Sequence, residues 1–176
     1  MLERISYRGW ENAYRISNAT IDLVVLADVG PRIVSYAFVG GENIFHEVPE
    51  QTGLTGGHEF RLYGGHRLWV WPEVERTYFP DNSPVTVSQS HNQVSFQAPV
   101  ENVAPGSNLQ KELQIRLGEG SRVTVMHRVT NWDRRSTELA LWAPTMMKAG
   151  GRAILPLPPR AAMDKDHFQS VGPLTL

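Results

Sequence analysis

Cysteine is absent from the chain, which removes disulfides, thiolate metal sites and a cysteine nucleophile, and gives no reason to expect an oxidising compartment. Long apolar runs are absent too. The opening M-L-E-R-I-S-Y-R-G-W has no signal-peptide core, and no later stretch is apolar for long enough to span a bilayer. Charge of one sign is missing as well: the formal net charge is -1, the pI is near 6.6, and basic residues are scattered. Nothing in that balance favours nucleic acid or an anionic membrane as a partner. The expectation is a soluble, cytoplasmic, single-domain protein, since 176 residues suffice for a real core. Catalytic motifs are also lacking. No HExxH, G-x-S-x-G, Walker, Rossmann-type or EF-hand spacing occurs. The six histidines at 46, 58, 66, 91, 127 and 167 share no tight ligand spacing, so neither metal nor cofactor is expected.

Helical periodicity is scarce, whereas short β-rich runs punctuated by 15 Gly and 12 Pro recur throughout. They fall at Ala13–Ser17, Ile21–Leu26, Arg32–Val39, Asn43–Val48, Leu68–Trp71, Pro84–Ser88, Gln93–Val100, Leu109–Leu117, Arg122–Thr130, Glu138–Met146 and Arg152–Leu157. That spacing predicts an all-β antiparallel sandwich. The clearest hairpin turns at Gly118-Glu119-Gly120-Ser121. Leu113, Ile115 and Leu117 face in and Gln110, Glu112, Gln114 and Arg116 face out on one arm, with Val123, Val125, His127 and Val129 facing in on the other. Val94, Phe96, Ala98 and Val100 make another one-faced strand.

The stretch least like scaffold is R-L-Y-G-G-H-R-L-W-V-W-P-E-V-E, Arg61 to Glu75. Gly64-Gly65 marks a turn or a close backbone approach. In an extended run, residues two apart share a face. Arg67, Trp69, Trp71 and Glu73 then project to one side, with His66, Leu68 and Val70 on the other. Indoles flanked by a guanidinium and a carboxylate suit a sugar, whose C–H faces pack on rings and whose hydroxyls bond charged groups. The same set also reads as core indoles with an ion pair at the rim, and both readings stay open. Titratable candidates for acid/base work are His66, His127, Glu73 and Glu75. His127 equally suits a satisfied core histidine, Glu75 a solvated pair with Arg76, and Arg32 either a groove or a sheet edge.

Four pieces of sequence, taken in order, resemble the galactose mutarotase-like superfamily. They are I-D-L-V-V-L-A-D-V-G-P-R-I-V-S-Y-A-F, Y-G-G-H-R-L-W-V-W-P-E, V-T-V-M-H-R-V-T-N-W and L-A-L-W-A-P-T-M-M-K-A-G-G. The resemblance implies the N-terminal part of a supersandwich with a carbohydrate groove lined by Arg32, His66, Arg67, Trp69, Trp71, Glu73, His127 and Trp142. It also implies a His acid and a Glu base for aldose 1-epimerases. Trp142 stands at the acid position, and an indole does not donate a proton at neutral pH. The base lies in strands expected beyond Leu176. Three functions follow: a carbohydrate-binding protein without orthodox mutarotase activity, an aldose or sugar-phosphate 1-epimerase using a His/Glu pair, or a structural chain that only oligomerises. Uncovered strand edges in the shortened sandwich further imply a homodimer.

Overall fold

In the computed structural model, residues 1–101, 108–152 and 154 are described, and they form antiparallel sheets with no α-helix among them. The first sheet runs in chain order through β1 (Leu2–Tyr7), β2 (Trp10–Ser17), β3 (Ile21–Leu26), β4 (Arg32–Phe38) and β5 (His66–Arg67). After Leu68, the chain continues as β6 (Trp69–Trp71). The second sheet holds β7 (Thr86–Ser90), β8 (Gln93–Gln97), β9 (Leu109–Leu117) and β10 (Val123–Asn131), in the order β10-β9-β8-β7. Last comes β11 (Ala140–Trp142), which pairs back on β6. The protein is all-β and sandwich-like, as the spacing of its β-rich runs predicts.

Between the sheets, Leu23, Val25, Ile33 and Leu68 from the first meet Val94, Phe96, Leu113 and Ile115 from the second. The first sheet buries its other face as well. Trp10, Ala13, Val24, Leu26, Val29 and Val34 pack there with Tyr63, under the long segment that links β4 to β5. This double burial explains why I-D-L-V-V-L in β3 is a nearly continuous apolar run without alternation. The covering segment is tied down by its polar ends: Trp10 Nε1 donates to Leu54 O at 3.0 Å, and Tyr63 Oη donates to Asn82 Oδ1 at 2.8 Å. Gly64 is where that segment presses against itself, and Gly65 where it presses against β4. A Cβ on them would stand 2.2 Å from His46 O and 2.0 Å from Ile33 O, and their φ values are 106° and 70°. Both positions require glycine.

Several boundaries differ from expectation. An N-terminal strand, β1, precedes the first expected one, and β2 begins at Trp10 across the Arg8-Gly9 turn, whose φ values of 46° and 94° suit a tight hairpin. Asn43–Val48 is not a strand: only Phe45↔Met147 and Glu47↔Gly64 bridge there. The reason is Asn43, whose Oδ1 accepts from Tyr36 N and Phe45 N at 3.1 and 3.0 Å and bends the chain into an Asx-type loop. β8 stops at Gln97, leaving Val100 exposed, and Glu138–Met146 contracts to β11 plus isolated bridges. Of Arg152–Leu157, 153 and 155–157 lie outside the described residues.

The β9–β10 hairpin is in register from Val123↔Leu117 to Asn131↔Leu109. Its outward residues Glu112 and Gln114 are nonetheless buried, and they are satisfied there: Gln114 Nε2 donates to Glu112 Oε1 at 2.9 Å and Arg128 of β10 lies 3.4 Å from Glu112. Among the described residues, no helix is long and apolar enough to cross a membrane.

Candidate functional site

The site is built on one ladder. β6 and β11 pair as Trp71↔Ala140 and Trp69↔Trp142, and the same register carries on to the bridge His66↔Thr145. β11 and the residues after it thus run beside β5 and β6 and extend the first sheet. Alternation along the ladder sends His66 and Leu68 into the sandwich and Arg67 and Trp69 to the outer face.

On the outer face, Arg32 and Arg67 are directly opposite across β4 and β5 and converge on Asp81. Arg32 is fully buried; it donates to Asp81 Oδ1 and Oδ2 at 3.1 and 2.9 Å, and to Leu62 O and Gly64 O at 2.6 and 3.0 Å. Arg67 reaches Asp81 Oδ2 at 2.9 Å and Arg61 O at 3.2 Å. Burial opposes ionisation of Asp81, but the Arg32 and Arg67 guanidiniums overcome it and hold the carboxyl below its usual range. Arg67 is lowered to about 9 by burial and by Arg32, which leaves it charged at neutral pH with Asp81 as counter-ion. Such a cluster fixes backbone, and both of its guanidiniums are buried.

Next to it stands an aromatic cluster. The Arg67 guanidinium lies 4.7 Å from the Trp69 ring centroid, and Trp69 packs edge-to-face on Trp142 at 5.0 Å and on Tyr78 at 5.7 Å. Trp69 is buried at 8% exposure, whereas Trp71, two residues on, is 54% exposed and touches Trp142 at 6.4 Å. Glu73 follows in the open, accepting a hydrogen bond from Tyr78 Oη.

On the inner face, His66 of the first sheet and His127 of the second meet at the open side of the sandwich, with Nε2 to Nε2 at 2.7 Å. His66 Nδ1 lies 2.8 Å from Thr145 Oγ1. Burial lowers His66 to about 4, with His127 and Arg32 adding to the effect, and burial lowers His127 too. Both rings are therefore neutral at pH 7. One Nε2 carries hydrogen and the other accepts it, and Thr145 can either donate to His66 Nδ1 or accept from it. Two tautomeric patterns connect the three groups, so a proton can be relayed along them without net charge. Among the described residues, no three His, Asp or Glu side chains are grouped to hold a metal.

The eight residues expected in one groove thus divide. Arg32 and Arg67 belong to the buried ion cluster, Trp69, Trp71 and Trp142 to the aromatic cluster with Glu73 at its edge, and His66 and His127 to the opposite face. Arg67, Trp69 and Trp71 do share a face, and His66 and Leu68 do share the other. Glu75 lies exposed in a short 3-10 turn, Glu75–Tyr78. Reading the sequence missed Asp81 and Thr145, the partners that decide what Arg32, Arg67 and His66 do. No local signal marks either, since Asp81 lies in a loop 49 residues from Arg32 and Thr145 lies 79 from His66. No protein-family model, curated protein or solved structure matches the chain.

Proposed function

We propose that the chain binds a carbohydrate at the open end of the aromatic cluster, as a relative of the galactose mutarotase-like superfamily without orthodox mutarotase chemistry. The exposure of Trp71 carries this reading. A buried indole such as Trp69 is accounted for by packing, but one that is 54% exposed and braced against Trp142 offers a preset surface to a ligand. Glu73, two residues on, adds a carboxylate that accepts sugar hydroxyls in charge-assisted bonds. Titration of the intrinsic tryptophan fluorescence with D-galactose and D-glucose tests it. Saturable quenching that Trp71→Ala weakens by about 3- to 10-fold is expected for loss of one stacking contact. Absence of any saturable response to either sugar overturns it.

The contact between His66 and His127 favours a second reading, an aldose or sugar-phosphate 1-epimerase in which one imidazole takes the anomeric proton and the other returns one to the ring oxygen. Two features count against it. A base with a pKa near 4 is poorly matched to neutral pH, and at 2.7 Å the two Nε2 atoms occupy each other rather than a substrate. Trp142, at the position where the resemblance puts the acid, packs with Trp69 on the far face. Polarimetry on fresh α-D-glucose and α-D-galactose separates the readings: no acceleration is expected, and acceleration abolished by His127→Ala would establish the second.

A further inference from the structure

Each of the two sheets ends in two edges, and three of these edges carry devices that discourage pairing with another chain. β1 has Glu3 and Arg4 on it and a register shift between Ile5 and Tyr7. The 140–147 side of the first sheet is interrupted by Pro144, and β7 is only five residues long. β10 has none of these. It runs for nine residues in unbroken register with β9, contains no proline, and has Arg128 as its single ionised side chain at neutral pH. Among the described residues no strand lies on its far side. The consequence shows in burial: Leu113 and Ile115 of β9 are buried, whereas Val123, Val125 and Val129 on the same face of β10 are only half-buried.

What fits this edge is written in the strand itself. Two identical antiparallel strands related by a two-fold axis keep facing residues on one face of the sheet, so the axis passes at a residue and not between two. Centred on His127, all nine residues find partners: Val125 faces Val129, Thr124 faces Thr130, Met126 faces Arg128 and Val123 faces Asn131. Val–Val and Thr–Thr pairs are favourable across antiparallel strands, and no like charges meet. Moving the axis one residue on, to Arg128, sets guanidinium against guanidinium. Moving it one back, to Met126, leaves Thr130 and Asn131 beyond the end of the other strand. We infer that two copies of this chain join β10 to β10 about a two-fold axis at His127, merging their four-stranded sheets into one continuous sheet. The valines that β10 leaves half-buried then lie against those of the other copy. The inference is independent of the sugar reading, since Trp71 belongs to β6.

Sedimentation equilibrium of the full chain tests the association, and a mass rising with concentration from 19.8 kDa toward twice that is expected. Because the chain has no cysteine of its own, single cysteines report the register. Directly opposite Cβ atoms lie about 4.5 to 5.5 Å apart and diagonal ones about 7 to 8 Å, against the roughly 3.5 to 4.5 Å of a disulfide. Under mild oxidation His127→Cys should therefore link to its own copy. Met126→Cys should link to Arg128→Cys in a mixture of the two variants but not to itself. Met126 and Arg128 are exposed, so this mixed pair keeps the test sound should His127→Cys, which deprives His66 of its partner, fail to fold. Met126→Lys sets two like-charge contacts with Arg128 across the axis and should weaken association about 2- to 30-fold, whereas Met126→Glu should not weaken it. A monomer at every concentration, self-linking of Met126→Cys as fast as its linking to Arg128→Cys, or equal weakening by Lys and Glu at position 126 would each overturn the inference.

Discussion

His66 and Arg67 are adjacent in β5, both are drawn out of water, and burial lowers the pKa of both, yet one ends neutral and the other charged. The difference lies in where each starts and in what each meets. Arg67 points to the outer face, where Asp81 at 2.9 Å supplies the opposite charge and keeps the guanidinium ionised. His66 points inward to another imidazole at 2.7 Å, and burial, with no counter-charge to oppose it, pushes a ring that is already mostly neutral at pH 7 further from protonation. Burial lowers both values, but it starts from 12.5 for the guanidinium and 6.5 for the imidazole, and the partner then opposes the shift at Arg67 and adds to it at His66. One face of the strand is consequently an ionic clamp and the other a chain of neutral hydrogen-bonding groups.

The comparison is most forcefully tested by removing the counter-charge. Asp81→Asn leaves Arg32 and Arg67 facing each other with no anion between them, and breaking a buried ion pair from one side typically costs about 3 to 5 kcal/mol. A loss of that order in the unfolding free energy measured in urea at pH 7.5 is expected. A loss below about 1 kcal/mol would show that water screens the two guanidiniums and that Asp81 is not what holds Arg67 charged.

The inner face makes the next prediction, in pH. His66 has a folded value near 4 against an ordinary value of 6.5, so between those limits the unfolded chain binds a proton that the folded chain refuses. Stability therefore falls as pH drops through 6.5 toward 4 and is unaffected by this group above that window. The full shift corresponds to about 3 kcal/mol, which solvent screening of a half-buried ring reduces to about 1 to 2 kcal/mol. Urea unfolding at pH 7.5 and pH 5.0 should show this drop in the wild type and a smaller one in His66→Gln. Equal drops in the two proteins would mean that His66 takes up its proton without resistance.

Much of this frame is legible in the sequence because it is local. Period-two patterning in Leu109–Leu117 and Val123–Asn131 specifies a hairpin and its inward face, and Gly64-Gly65 announces a close approach that the backbone confirms. The alternation that puts Arg67 with Trp69 and His66 with Leu68 is also readable. What alternation cannot tell is what waits on each side. The first sheet is covered on both faces, so Arg67 and Trp69 of the outward set are buried and only Trp71 and Glu73 face solvent, and Arg32, read as groove or edge, is fully buried against an aspartate supplied by a distant loop. Asn43–Val48 has strand composition, but side-chain bonds from Asn43 bend it before a ladder can form.

The smallest effect expected on stability separates two indoles of the same face. Trp69 is 8% exposed and sits between Arg67, Phe60, Tyr78 and Trp142, so Trp69→Ala should cost about 3 to 5 kcal/mol, as large aromatic truncations in a core do. Trp71 is 54% exposed and keeps a single ring contact, with Trp142. Its truncation should cost about 1 kcal/mol or less, the worth of one aromatic pair, while removing the proposed stacking surface. A variant that unfolds at nearly the wild-type urea concentration but binds sugar about 3- to 10-fold more weakly would place Trp71 outside the core and in the site. If Trp71→Ala destabilises as much as Trp69→Ala, the strand is core along its whole length, and the face offered to a carbohydrate does not exist.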